Sequence, residues 1–231
     1  MKKTTLLFIM LSFLGLSSGS KVNAQDWPNL EKYQTANAEL PAATDGENRV
    51  VFMGNSITEM WKDANPDFFK ENPYVNRGIG GQTTPQMLLR FRQDVIDLHP
   101  KVVVLLAGTN DIAGNTGPMT LEQIHDNILS MVELAKANSI KPIVCSVLPA
   151  VDYPWRPGKE PNIKIPELNT MLKAMAESQN VMYLDYFSEM ADDRNGLPSK
   201  LTTDEVHVTK AGYEIMERMV KDAIDKTLHQ N

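Results

Sequence analysis

The sequence predicts an α/β sandwich, in which a mainly parallel, five-stranded sheet carries helices on both faces. Three observations predict it. Short runs rich in Val, Ile and Leu recur without the alternation of a half-exposed strand, the pattern of strands buried on both faces. Amphipathic segments of helical period lie between those runs. The order strand, helix, strand favours parallel crossovers over hairpins.

The expected strands are Val50–Met53, Tyr74–Asn76, Val102–Ala107, Pro142–Leu148 and Val181–Tyr186. A polar lead-in precedes them, with some helix between Trp27 and Leu40. Thr84-Pro85 can open a helix that runs to about Leu98, because Pro fits a first-turn position. Met87, Leu88, Phe91, Val95 and Leu98 form its apolar face. Thr120 can cap a helix over Leu121–Asn138, and Pro166–Gln179 repeats the pattern with Leu168, Leu172 and Met175. Thr209 can cap the last helix, where Ile215, Met216, Met219, Val220 and Ala223 recur in phase.

The first 24 residues read as a secretory signal peptide, cut after Ala24. Met1-Lys2-Lys3 is the charged start, Leu6 to Leu16 the apolar stretch, and Val22-Asn23-Ala24 the small-residue end. Residues 25–231 then form one domain, periplasmic or secreted, with no stable membrane insertion after cleavage. The chain has 23 Lys and Arg against 29 Asp and Glu. Three of those lysines (Lys2, Lys3, Lys21) lie in the leader, so the mature chain is more acidic still. That charge argues against nucleic acid as a partner. The single Cys145 lies in an apolar strand and reads as a buried structural thiol. No Cys/His cluster with zinc spacing is present, and the sequence calls for no metal and no cofactor.

Four segments carry chemistry. Gly54-Asn55-Ser56-Ile57-Thr58 follows the first strand and delivers a hydroxyl at a strand end, where ligands sit in open α/β sheets. It is not a Gly-x-Ser-x-Gly elbow, because Thr58 replaces the second Gly. Ser56 there is either a helix N-cap or a nucleophile helped by the positive helix end. Asn76-Arg77-Gly78-Ile79-Gly80-Gly81-Gln82-Thr83-Thr84 is a Gly-rich turn ahead of a helix. It can present the Gly81 N–H to an anion, or serve only as a turn that needs positive φ. Gly108-Thr109-Asn110-Asp111 follows the most apolar strand. Asn110 can donate its amide into the same place, and Asp111 reads as a cap or turn residue. Asp204-Glu205-Val206-His207 sets a carboxylate three residues before an imidazole. Asp204 can hold one ring nitrogen while the other takes a proton from Ser56. His99, His125 and His229 lack that combination of acidic partner and strand-end setting.

In that order the four segments resemble the SGNH (GDSL-type) hydrolases, from about Val50 to Tyr213. The resemblance implies a flavodoxin-like three-layer α/β/α domain. It implies Ser56 as nucleophile, His207 as base and then acid, and Asp204 as its orienting partner. The Ser56 and Gly81 N–H groups with the Asn110 amide then form the oxyanion hole. The chain departs from the family in one place: Gly-Asn-Ser stands where the family has Gly-Asp-Ser, which questions any role for charge at position 55.

The expected function is therefore a secreted serine esterase acting through an acyl-enzyme, on short acyl groups such as acetyl carried by carbohydrate. The alternatives are a lysophospholipase, lipase or thioesterase for longer chains, and a noncatalytic glycan-binding protein. The loop Pro149–Gly158, with Tyr153, Trp155 and Arg156, and Trp61 after the nucleophile are the expected substrate-binding residues, or else packing over the sheet edge.

Overall fold

A computed structural model describes residues 25–229; the proposed leader lies outside them. After a short helix α1 (Gln34–Glu39), β1 (Val50–Gly54) enters the sheet, followed by α2 (Ser56–Ala64) and α3 (Pro66–Lys70). Next come β2 (Tyr74–Gly78), α4 (Thr84–Asp94), β3 (Val102–Leu106), α5 (Thr109–Ala113) and α6 (Leu121–Ala137). The chain ends with β4 (Lys141–Cys145), α7 (Pro161–Gln179), β5 (Met182–Leu184), α8 (Tyr186–Met190) and α9 (Lys210–His229).

The five strands are all parallel in the order β2-β1-β3-β4-β5. This is the expected flavodoxin-like sandwich. Alternate residues of β1 serve its two cores. Val51 and Met53 join α4, α6 and α7, whereas Val50 and Phe52 join α2, α8 and α9. Burial on both faces is why the strands read as unbroken apolar runs.

Several elements differ from expectation for local reasons. The lead-in is helical only over Gln34–Glu39. The α4 segment stops at Asp94 and finishes as a 3₁₀ turn, Ile96–Leu98. Thr83 and Gln86 form its capping box, one residue before the expected start. Helix α7 begins at Pro161, with Pro166 inside it rather than at its start. Pro161 fits because a first-turn N–H has no helical partner, whereas Pro166, the sixth residue, gives up the bond to the Asn162 carbonyl, which instead accepts from Asn195 Nδ2 at 3.0 Å. Thr120 caps α6 as expected, its hydroxyl accepting from Gln123 N–H at 3.2 Å.

The chain leaves β1 for β2 on one side, then crosses to β3 on the other. The carboxyl ends of β1 and β3 therefore flank a switch point, where open α/β sheets form their ligand crevice.

Candidate active site

β1 ends at Gly54, where α2 folds back closely. A Cβ at Gly54 would lie 2.1 Å from Thr58 Oγ1 and 2.9 Å from the Leu106 carbonyl. Only glycine fits that approach. The cap of α2 is Asn55, whose Oδ1 accepts from Ile57 N–H at 3.0 Å. Ser56 is thus not the cap but the first helical residue, and its hydroxyl is free for other work. An amide oxygen accepts this bond as a carboxylate would, so capping at position 55 needs no charge.

Ser56 Oγ lies 2.9 Å from His207 Nε2, and His207 Nδ1 lies 2.6 Å from Asp204 Oδ2. Asp204 and His207 lie in a turn. Asp204 Oδ1 accepts from the Val206 and His207 N–H groups at 3.0 and 2.7 Å, closing the turn. One carboxylate therefore shapes the loop with one oxygen and faces the imidazole with the other. Partial burial pushes Asp204 up, but the His207 ring and these N–H donors outweigh it and hold the carboxyl below its usual range. With Asp204 ionised, Nδ1 carries the proton and Nε2 is left to accept. Glu205 is exposed and adopts φ +70°. His125 also meets a carboxylate, Asp126 at 2.9 Å, but on the exposed side of α6.

The loop after β2 runs beside Ser56; a Cβ at Gly80 would lie 3.9 Å from Ser56 Cβ. Glu59 Oε2 takes the Gly80 N–H at 2.6 Å. Gly81, at φ +74°, occupies the left-handed region. Among the described residues no acceptor takes the Gly81 or Ser56 N–H. Asn110 lies in α5, buried at the end of β3, and its Nδ2 donates one hydrogen to the Gln82 carbonyl at 3.0 Å. A second Nδ2 hydrogen remains. The three expected hole donors thus come from the adjacent ends of β1, β2 and β3.

Sequence reasoning missed the network behind this loop. Gln82 Oε1 accepts from Arg90 Nε at 2.6 Å. Arg90 also donates to Asp94 at 3.0 Å and to the Gly54 carbonyl at 3.2 Å. One buried guanidinium therefore joins the end of β1, just before Ser56, to the Gly-rich loop after β2. Asn115, also missed, donates to the Gly81 carbonyl at 3.1 Å and accepts from Trp155 Nε1 at 3.0 Å. Asp111 is not the cap or turn residue expected: it lies inside α5, and its Oδ1 reaches across to the start of α4, taking the Thr84 N–H at 2.8 Å and the Thr84 hydroxyl at 2.6 Å. Its Oδ2 is buried without a partner, and burial raises the carboxyl to about 6.

Two expected substrate residues are corrected. Trp61 is buried, stacked on Phe68 and Tyr213, with Nε1 donating to Glu217 at 2.9 Å. It packs α2 on α9 and offers no face to a ligand. Tyr153 is likewise buried, its hydroxyl 2.8 Å from Thr109 Oγ1. Trp155 does stand at the site: it is 40 % exposed, with its ring centroid 6.5 Å from that of His207. Arg156 is exposed on the same loop. Cys145 is buried as expected, and burial pushes its thiol up.

Among the described residues no group of three His, Cys, Asp or Glu side chains could hold a metal, and no helix is long and apolar enough to cross a membrane.

The chain is similar to several known proteins. A crystal structure of a Bacteroides fragilis protein assigned as an acylhydrolase is 49 % identical, with a TM-score of 0.87 over 89 % of this chain and 100 % of that one. A Bacillus subtilis lipoprotein is 36 % identical over 81 residues, which spans 34 % of this chain and only 33 % of that protein. An acetylxylan esterase of Geobacillus stearothermophilus is 23 % identical over 149 residues, 62 % of this chain and 68 % of the esterase. The model of the GDSL-like lipase/acylhydrolase family matches residues 52–215, a span that includes Ser56, Gly81, Asn110, Asp204 and His207. By that match, over most of its length, this chain belongs to the GDSL-like lipase/acylhydrolase family.

Proposed function

We propose that this protein is a secreted serine esterase that removes short acyl groups, acetyl foremost, from carbohydrate. The observation that carries the catalytic part is the unbroken line Ser56–His207–Asp204 beside two unengaged N–H donors. As His207 Nε2 takes the Ser56 proton, Oγ bonds to the ester carbonyl carbon and the carbonyl electrons move onto oxygen. The Ser56 and Gly81 N–H groups and the Asn110 amide receive that charge. Collapse breaks the bond to the alcohol, which leaves with the proton from Nε2. Water then attacks the acyl-enzyme by the same route, releasing the acid and restoring Ser56.

Two observations support the substrate. Trp155 walls the side of the site next to His207, where the leaving alcohol takes its proton, and offers an aromatic face to a sugar ring. An acetylxylan esterase stands among the relatives. The apolar, lysine-led start of the sequence supports export.

The test is hydrolysis of p-nitrophenyl acetate, butyrate and decanoate by the mature protein, with Ser56→Ala in parallel. The expected rates fall with chain length, and the variant loses on the order of 10⁴-fold or more while melting like wild type. Preference for decanoate would move the substrate to lipids. Equal rates in both proteins would remove Ser56 from the chemistry.

A further inference from the structure

A second cleft opens on the far side of the oxyanion loop. It has a volume of about 390 Å³, and Trp27, Asn29, Gly80, Gly81, Asn115 and Thr116 are among its lining residues. One wall is the segment that precedes α1. Three glutamine amides from the loop and α4 hold that segment by its carbonyls. Gln82 donates to Pro28, Gln86 to Trp27 and Gln93 to Leu30, each at 2.7 Å. Tyr33 adds a hydroxyl bond to the Gly78 carbonyl. A segment held by three backbone carbonyls and one side chain makes a wall, not a loose tail.

Trp27 is 41 % exposed at this cleft. A large aromatic left half in solvent, on a backbone so firmly held, is a platform rather than a core anchor. Asn115 joins this cleft to the catalytic side, because its amide bridges the Gly81 carbonyl and the Trp155 indole. Trp27 and Trp155 therefore stand at the two ends of one strip that passes the oxyanion loop.

The lining chemistry selects a ligand. It is made of amides, one threonine hydroxyl, glycine backbone, Ile79 and one indole, with Asp26 as its only charged residue and no Lys or Arg. Asp26 is already engaged, accepting from Glu31 N–H at 2.9 Å. Phosphate or sulfate finds no cation there, and an acyl chain finds too little apolar wall. An uncharged, hydroxyl-rich ring with an apolar face can cover the indole and bond the Asn29 amide and the second amide hydrogens that Gln86 and Asn115 have left.

We infer that this cleft binds an unmodified sugar unit of an oligosaccharide whose acylated unit lies at Ser56. The inference rests on the proposed carbohydrate substrate, and it adds a specific unit and a specific platform. It makes the enzyme one for chains of several sugars, not for single acetylated sugars.

The test separates binding from turnover. Unacetylated xylotetraose and cellotetraose, which carry no ester, are titrated into the mature protein and followed by tryptophan fluorescence and amide chemical shifts. At least one should bind and shift Gly81 and Asn115. Trp27→Ala should weaken that binding roughly fivefold to tenfold, as loss of one aromatic contact implies. Trp27→Phe should recover most of it, and equal melting temperatures would show that both variants fold. In turnover, the ratio of kcat/KM for acetylated xylotetraose to that for p-nitrophenyl acetate should fall by a similar factor in Trp27→Ala, through KM. Absence of binding by either tetrasaccharide, or equal affinity in Trp27→Ala, would overturn the subsite. Serine esterase activity is judged separately, by p-nitrophenyl acetate and Ser56→Ala, so the two readings fail independently.

Discussion

The two halves of the candidate site are built on opposite plans. The half with Ser56, Gly81 and Asn110 is backed by a buried ionic network, in which the Arg90 and Asp94 side chains are both 0 % exposed. The half with His207 and Asp204 stands on a surface turn, where those side chains are 23 % and 42 % exposed. In the proposed mechanism the first half receives negative charge without moving, so its donors have to be fixed before the reaction starts. In the same mechanism the second passes protons between serine, alcohol and water, so it has to meet solvent. Helix α9 couples them: it follows the His207 turn and docks on α2 through Tyr213 OH to the Ile57 carbonyl at 2.8 Å. Rigidity is thus concentrated where the proposed mechanism develops charge, and access where it exchanges protons.

The sharpest way to break this contrast is Arg90→Met. The change leaves Asp94 buried without its cation and frees the Gln82 side chain from Arg90. Removing one partner of a buried pair typically costs about 3–5 kcal/mol. Urea unfolding should show that loss, and the surviving folded protein should turn over p-nitrophenyl acetate more slowly. A stability loss under about 1 kcal/mol would mean that the pair is no keystone. Next in size is Asn110→Ala. Loss of one hole donor should lower kcat by about 10²–10³ with little change in KM. Near wild-type turnover in a folded variant would remove Asn110 from the hole.

A third test uses pH on the buried half. Burial raises Asp111 to about 6, whereas an unfolded aspartate titrates near 4. Between those values the folded chain holds a proton that the unfolded chain has shed. Stability from this group therefore falls as pH rises through that window and is level above it. Asp111→Asn cannot titrate. The stability of wild type relative to this variant should drop by roughly 2–3 kcal/mol between pH 4 and pH 7, read from urea unfolding at each pH. A difference that does not change with pH would show that Asp111 stays ionised, with its free oxygen solvated.

The contrast also explains what was legible in the sequence. The strands were readable because burial on both faces demands apolar runs, Ser56, Gly81 and Asn110 because each follows a strand end, and Asp204 and His207 by their spacing alone, since they lie in the turn before α9. The network behind the hole was not, because Arg90 and Asp94 read as polar residues on an amphipathic helix. Their spacing did hold a signal: Met87, Arg90, Phe91 and Asp94 follow the 3, 4 and 7 intervals of one helix face, so the charges fall on the buried stripe. Trp61 and Tyr153 were misplaced for the converse reason. A sequence shows that an aromatic lies near a motif but not which way it points. Here Phe52, Phe68 and Tyr213 surround Trp61, and Thr109 takes Tyr153. The strap carrying Trp27 escaped notice because glutamine amides of other segments, not local pattern, hold it in place.

The smallest expected effect lies on the exposed half, and it tests whether that half is held lightly. Thr202 Oγ1 donates to the His207 carbonyl at 2.8 Å, and Thr202 pairs with Val208 in an isolated antiparallel bridge. Thr202→Val keeps the shape and the bridge but removes the hydroxyl, and with it both this bond and the longer one it accepts from the Asp204 N–H at 3.4 Å. A neutral hydrogen bond of this kind contributes about 1 kcal/mol. Stability should fall by that amount, against the several kcal/mol of Arg90→Met. The two Asp204 oxygens would still hold the turn and the imidazole, so kcat/KM should change less than about fivefold. A loss as large as that of Asn110→Ala would mean that the base is positioned as stringently as the hole. The division between a fixed half and an accessible half would then give way to a single rigid site.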